Sequence, residues 1–100
     1  MREPTYFILA ALLDGPLHGY AIAQAAREAS GGRVRLTAGT LYGALDRLSG
    51  EGLIALDREE AVNGRPRRYY VITEDGRAAL VQEAEAKQAA ATLVLRAVTA

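Results

Sequence analysis

The chain has no cysteine and no tryptophan in its 100 residues, and only one histidine. Disulfides and thiolate metal sites are therefore excluded, and a lone His18 lacks the second ligand a metal needs. No metal site is expected. Catalytic signatures are missing too: there is no GxSxG, no P-loop and no cysteine nucleophile. Glu59 and Glu60 are neighbours in a stretch that reads as a strand, where successive side chains point to opposite faces, so they do not form an acid–base pair. The reading is of a protein that is not an enzyme and uses no cofactor. No apolar run approaches the roughly 20 residues of a membrane span, and no signal-peptide pattern opens the chain. No membrane partner is expected, and the expected location is cytoplasmic. Net charge is absent as well, with twelve basic residues against twelve acidic ones. That disfavours bulk electrostatic attachment to nucleic acid, so any such binding must come from where the charges lie.

What is present is apolar and patterned. Half of the residues are hydrophobic, enough for one small domain with a modest core that a partner subunit would complete. Pro4 opens a first helix whose residues Tyr6 to Leu13 are apolar nearly all round, and Gly15-Pro16 ends it. A second helix is predicted from about His18 to Ala29. After the loop Ser30-Gly31-Gly32, Arg33 to Leu36 alternates charged and apolar residues, the pattern of a short strand. Leu41, Leu45 and Leu48 then fall on one face of a third helix, capped by Thr37 and stopped near Gly50 and Gly52.

Beyond Gly52, Leu53 to Glu60 reads as a strand with Ile54 and Leu56 facing one way. Asn63-Gly64 is a two-residue hairpin signal, because both residues accept positive φ. Arg67 to Thr73 returns as the partner strand, and Pro66 predicts an irregular, exposed tip. Thr73 caps a last helix running to about Val98, with Glu74 and Asp75 at its positive end. Three helices followed by a hairpin make a winged helix, mostly α with a small β-hairpin. Its second and third helices form the helix-turn-helix.

The pieces ILAALLDGPLHGYAIA, GTLYGALDRLSGEGLI and GRPRRYYVITEDGRAAL, in that order, resemble the PadR transcriptional regulators, specifically their short members with one C-terminal helix. The resemblance runs from about Thr5 to Leu80. It implies a winged helix-turn-helix over residues 1–73 and a dimerisation helix over 74–100. It implies a homodimeric repressor whose third helix enters the major groove of double-stranded DNA while the wing tip follows the backbone or minor groove. Two reading helices about 34–36 Å apart would then require an inverted-repeat operator. It also implies release by a small hydrophobic effector lodged between subunits. No aromatic residue lies between Glu74 and Ala100, so any pocket built from that helix is aliphatic. The competing class is a winged helix that binds protein instead of DNA, which the zero net charge favours.

The candidate DNA-binding residues fall in three groups. In the third helix, Thr37, Thr40 and Tyr42 offer hydroxyls to phosphates or base edges, and Gly39 and Gly43 allow close backbone approach. Tyr42 has an alternative reading as a core residue with a wet hydroxyl. Arg47 could reach a phosphate or pair with Asp46 or Glu51, and the ion pair is favoured. In the wing, Gly64, Arg65, Arg67 and Arg68 form a basic tip free of acids, and Arg is the better fork for phosphate. Against this, Asp57, Glu59 and Glu60 on the opposing strand could pair with those arginines. In the second helix, Tyr20 reads either as a phosphate contact or as packing against the third helix, and His18 as a turn residue or backbone hydrogen-bonder.

Overall fold

A computed structural model describes residues 1–100. The elements are α1 (Glu3–Ala11), β1 (Leu17–His18), α2 (Gly19–Ala29), α3 (Ala38–Gly50), β2 (Ile54–Val62), β3 (Arg65–Ile72) and α4 (Glu74–Thr99). Helices α2 and α3 are the helix-turn-helix, and the β2–β3 hairpin is the wing. No helix is long and apolar enough to cross a membrane.

Local chemistry accounts for most element ends. Thr37 Oγ1 accepts from the Thr40 amide at 3.3 Å and starts α3. Thr73 Oγ1 accepts from the Gly76 amide at 3.0 Å and donates to the Gly52 carbonyl at 2.7 Å, tying the start of α4 to the chain that leaves α3. His18 caps α2 through its ring, with Nδ1 accepting from the Ala21 amide at 3.2 Å. The backbone-bonding role expected of His18 is thus what the structure holds. Gly50 is the last residue of α3 itself, and the left-handed turn beyond it falls on Gly52 at φ +75°.

One core unites the helices and the base of the wing. Ile8, Leu9 and Leu12 of α1 meet Ile22 of α2 and Leu41, Leu45 and Leu48 of α3. Ile54, Tyr70 and Leu80 close it from the strands and α4. Only 16 of 100 residues are buried, so this core is small for its chain. The first half of α4 packs on α1, with Lys87 Nζ 5.0 Å from the Tyr6 ring centre, and the terminal amine of Met1 meets Glu83 at 3.3 Å. Further along, Leu93, Val94, Leu95 and Val98 are all exposed.

Two expectations need correcting. The Arg33–Leu36 stretch is not a strand. Its alternation is real, with Val34 buried between exposed Arg33 and Arg35, but it finds no partner. Val34 instead donates its amide to Ser30 Oγ at 2.9 Å. The edge of β3 is taken by Leu17 and His18, which pair with Tyr70 and Tyr69 to give the order β1-β3-β2.

The wing tip is regular, not irregular. Ala61 pairs with Pro66 and Val62 with Arg65 right up to an Asn63-Gly64 turn at φ +53° and +76°. Val62 and Arg65 flank a two-residue turn, so Pro66 next to them occupies a non-hydrogen-bonded position. Its ring nitrogen faces the open edge that β1 does not reach, and no ladder bond is lost. Ile54 and Leu56 do share a face, opposite Ile72 and Tyr70, but Leu56 lies beyond the core at 52% exposed against 2% for Ile54.

Candidate nucleic-acid interface

The N-terminal turns of α3 stand clear of the body. Thr37, Gly39, Thr40 and Gly43 are exposed, while Leu41, Leu45 and Leu48 hold the opposite face in the core. No atom outside α3 lies within 4 Å of where a Cβ would stand on Gly39 or Gly43. Their bareness therefore serves nothing inside the protein. Thr37 Oγ1 also donates to Thr40 Oγ1 at 3.0 Å. This leaves the Thr40 hydroxyl hydrogen available to an outside acceptor.

Tyr42 is not a core residue, being 51% exposed, and Tyr20 is 74% exposed and does not pack into α3. Tyr42 does touch α2 at one place. A Cβ on Gly19 would stand 3.0 Å from Tyr42 Oη and 3.2 Å from two of its ring carbons. Gly19 is thus the floor on which the Tyr42 ring lies, a role the sequence reading missed. Its only signal was a glycine at a helix start, between a capping histidine and an exposed tyrosine.

A cleft of about 880 Å³ opens between α3 and the wing. Of the predicted residues it gathers Tyr20, Tyr42, Arg65, Arg67 and Arg68, with Asp46 as its one carboxylate. Thr37, Gly39, Thr40, Gly43 and Gly64 lie outside it, on the exposed start of α3 and at the wing turn. Arg47 faces away; it binds Glu51 at 3.0 Å and Thr5 Oγ1 at 2.9 Å, the ion pair expected.

The acids of the wing leave its leading arginines free. Arg68 pairs with Glu59 across the ladder at 3.4 Å, but Arg65 and Arg67 make no ion pair. Arg58, on β2, holds the other two carboxylates: Nε donates to Glu60 Oε1 at 2.7 Å and Nη1 to Asp57 Oδ2 at 3.1 Å. The Arg58 hydrogen bond above all, and then the charges of Arg58 and Arg67 and a Tyr69 hydrogen bond, keep the Glu60 carboxyl below its ordinary pKa. Arg58 also lies 3.9 Å over the Tyr69 ring, whose edge meets His18 at 5.5 Å, and His18 stacks on Tyr20 at 6.5 Å. A row of flat groups thus joins the wing to the start of α2. Burial, and then the nearby charge of Arg67, push His18 below its usual pKa, which favours the neutral ring whose Nδ1 accepts the capping bond.

Residues 8–82 match the model of the transcriptional regulator PadR-like family. The chain is 46% identical over 83 residues to an uncharacterised 37.1 kDa protein in transposon TN4556 of Streptomyces fradiae. That match covers 83% of this chain but only 22% of the relative's length. It is 39% identical over 82 residues to transcriptional regulator Rv3488 of Mycobacterium tuberculosis, covering 82% of this chain and 73% of that one. Among solved structures, it resembles Bacillus subtilis PadR in complex with operator DNA, with a TM-score of 0.71 and 28% identity over 81% of this chain and 46% of that one.

Proposed function

The chain belongs to the PadR-like family of transcriptional regulators, and from that premise we propose that it binds double-stranded DNA sequence-specifically as a homodimer. It represses by occupying an inverted-repeat operator in the cytoplasm. The carrying observation is the cleft between α3 and the wing, where exposed Tyr20 and Tyr42 face Arg65 and Arg67, neither of which makes an ion pair. Phosphates there would gain charge-assisted hydrogen bonds without breaking existing ion pairs. The bare start of α3 supports base reading, since small residues let the backbone come close to base edges. That Bacillus subtilis PadR was crystallised with operator DNA supports the same partner here.

The dimer rests on α4. Leu93, Val94, Leu95 and Val98 leave an apolar surface that water should not keep on so small a core. In this reading residues 1–73 read DNA and residues 74–100 form the subunit contact. Two α3 helices would then address successive major grooves about 34–36 Å apart. A small hydrophobic effector between the subunits would change that spacing and release the site.

Selecting bound fragments from the source genome and sequencing them tests this directly. Enrichment of one palindromic motif, with affinity falling steeply as salt rises, is the expected result. Thr40→Ala and Tyr42→Ala should then lower the affinity ratio of that motif over scrambled DNA by about 1–3 kcal/mol each with the fold intact. No enriched motif, together with salt-insensitive binding to a protein, would assign the fold to protein assembly instead.

A further inference from the structure

The wing is built on two registers that disagree by one residue. At its base, Ile54 opposes Ile72 and Leu56 opposes Tyr70, the pairing that puts Ile54 and Tyr70 in the core. At its tip, the two-residue Asn63-Gly64 turn sets Val62 against Arg65, and from there Glu60 against Arg67 and Arg58 against Tyr69. The mismatch is absorbed by a bulge between Leu56 and Arg58, where Asp57 is the extra residue. Without it, the base register would run on to set Arg58 against Arg68, two like charges face to face.

The bulge thus decides which charges meet. Arg58, Glu60, Tyr69 and Arg67 share one face of the hairpin, since cross-strand partners and alternate residues do so. Glu60 has two cations in reach: Arg67 directly opposite, and Arg58 two residues back on its own strand. It takes Arg58, at 2.7 Å. Arg58 is fixed for this by the Tyr69 ring beneath it and by Asp57 at 3.1 Å. Arg58 itself lies outside the cleft.

We propose that Arg58 is a positioning residue for nucleic-acid binding, holding Glu60 so that Arg67, directly opposite it, meets the phosphate backbone without an ion pair. This deepens the DNA-binding reading and rests on it. It explains how a chain with no net charge presents a basic edge: one arginine engages the acid that another would otherwise meet.

The test replaces Arg58 by Met, which keeps an apolar stem over Tyr69 while removing the charge. Wing phosphate contacts do not depend on sequence, so a short fluorescent duplex of scrambled sequence is the probe. With Arg58→Met, Glu60 turns to Arg67. Affinity should fall on the order of three- to tenfold, and the log–log salt slope should become shallower by about one. Adding Glu60→Gln should restore affinity to within about twofold and the slope with it. Unchanged binding by Arg58→Met, or a double variant as weak as the single one, would overturn the proposal; the latter would mean that Arg58 touches DNA itself. A second measurement needs no DNA. The Arg67 side-chain Nε–H resonance should shift in Arg58→Met and return in the double variant. A wild-type protein that ignores duplex DNA would defeat the functional reading, while an Arg67 resonance indifferent to Arg58 would defeat this inference alone.

Discussion

Between Thr37 and Gly43 the start of α3 carries no charged side chain, whereas the five wing residues Gly64 to Arg68 include three arginines. The two stretches border one groove and use opposite chemistry. On the helix, hydroxyls and bare glycine backbone give close, directional contacts, the kind that distinguish one base pair from another. On the wing, guanidiniums give strong contacts to a backbone that is the same at every sequence. The helix is held by its leucine face in the core; the wing is held by a ladder that, beyond the bulge at Asp57, runs to its turn. In the proposed function the first supplies selectivity and the second supplies strength.

That division can be broken most visibly from the wing. Arg65→Ala combined with Arg67→Ala should weaken binding to every duplex by roughly ten- to a hundredfold. The salt slope should become shallower by about two, with the cognate-over-scrambled ratio almost unmoved. Titrations at several salt concentrations would show it, and a changed ratio would mean that the wing also reads bases.

The helix offers a smaller and opposite effect on stability. Gly39→Ala and Gly43→Ala place methyl groups into open space and add helix propensity, so each should raise stability by up to about 0.5–1 kcal/mol. Binding to the selected motif should nevertheless weaken, because in the proposed complex the methyls would stand where DNA approaches. A variant that is both more stable in thermal melts and an equally good binder would remove the glycines from the interface.

The smallest effect comes from His18, which joins the two arms. Its pKa is depressed in the folded state, so the unfolded chain binds the extra proton and stability rises with pH through that window. The contribution is complete above its ordinary value of 6.5 and is lost as pH falls through the depressed one. Thermal melts at stepped pH should show a loss of no more than about 1 kcal/mol, the usual worth of an N-cap. His18→Asn, which can still cap, should flatten that dependence.

The parts legible beforehand share a cause. Thr37, Thr73 and the Asn63-Gly64 turn act on backbone groups within three residues of themselves, so their effects could be read off the chain. The leucine stripe of α3 was equally readable because a helix fixes which residues share a face. The Arg33–Leu36 alternation misled because a strand is defined by its partner, and the partner edge had already gone to Leu17 and His18. Gly19 beneath Tyr42 was not legible either, since the two residues are brought together only by the crossing of α2 and α3. The grip of Arg58 on Asp57 and Glu60 lay half in view: counting back from the turn sets Arg58 opposite Tyr69, but not which acid chooses which arginine.

Sequence alone determined the helices, their caps, the hairpin turn and the family motifs, because each rests on bonds between residues close in the chain. Tertiary structure decided which strand completes the sheet, how the wing absorbs a one-residue mismatch, and which arginines are left without a partner. The first two outcomes depend on distances between residues far apart in the chain; the third is settled between neighbours, where Arg58 meets Asp57 and Glu60 one and two residues away, by side-chain geometry that the Tyr69 ring across the ladder sets.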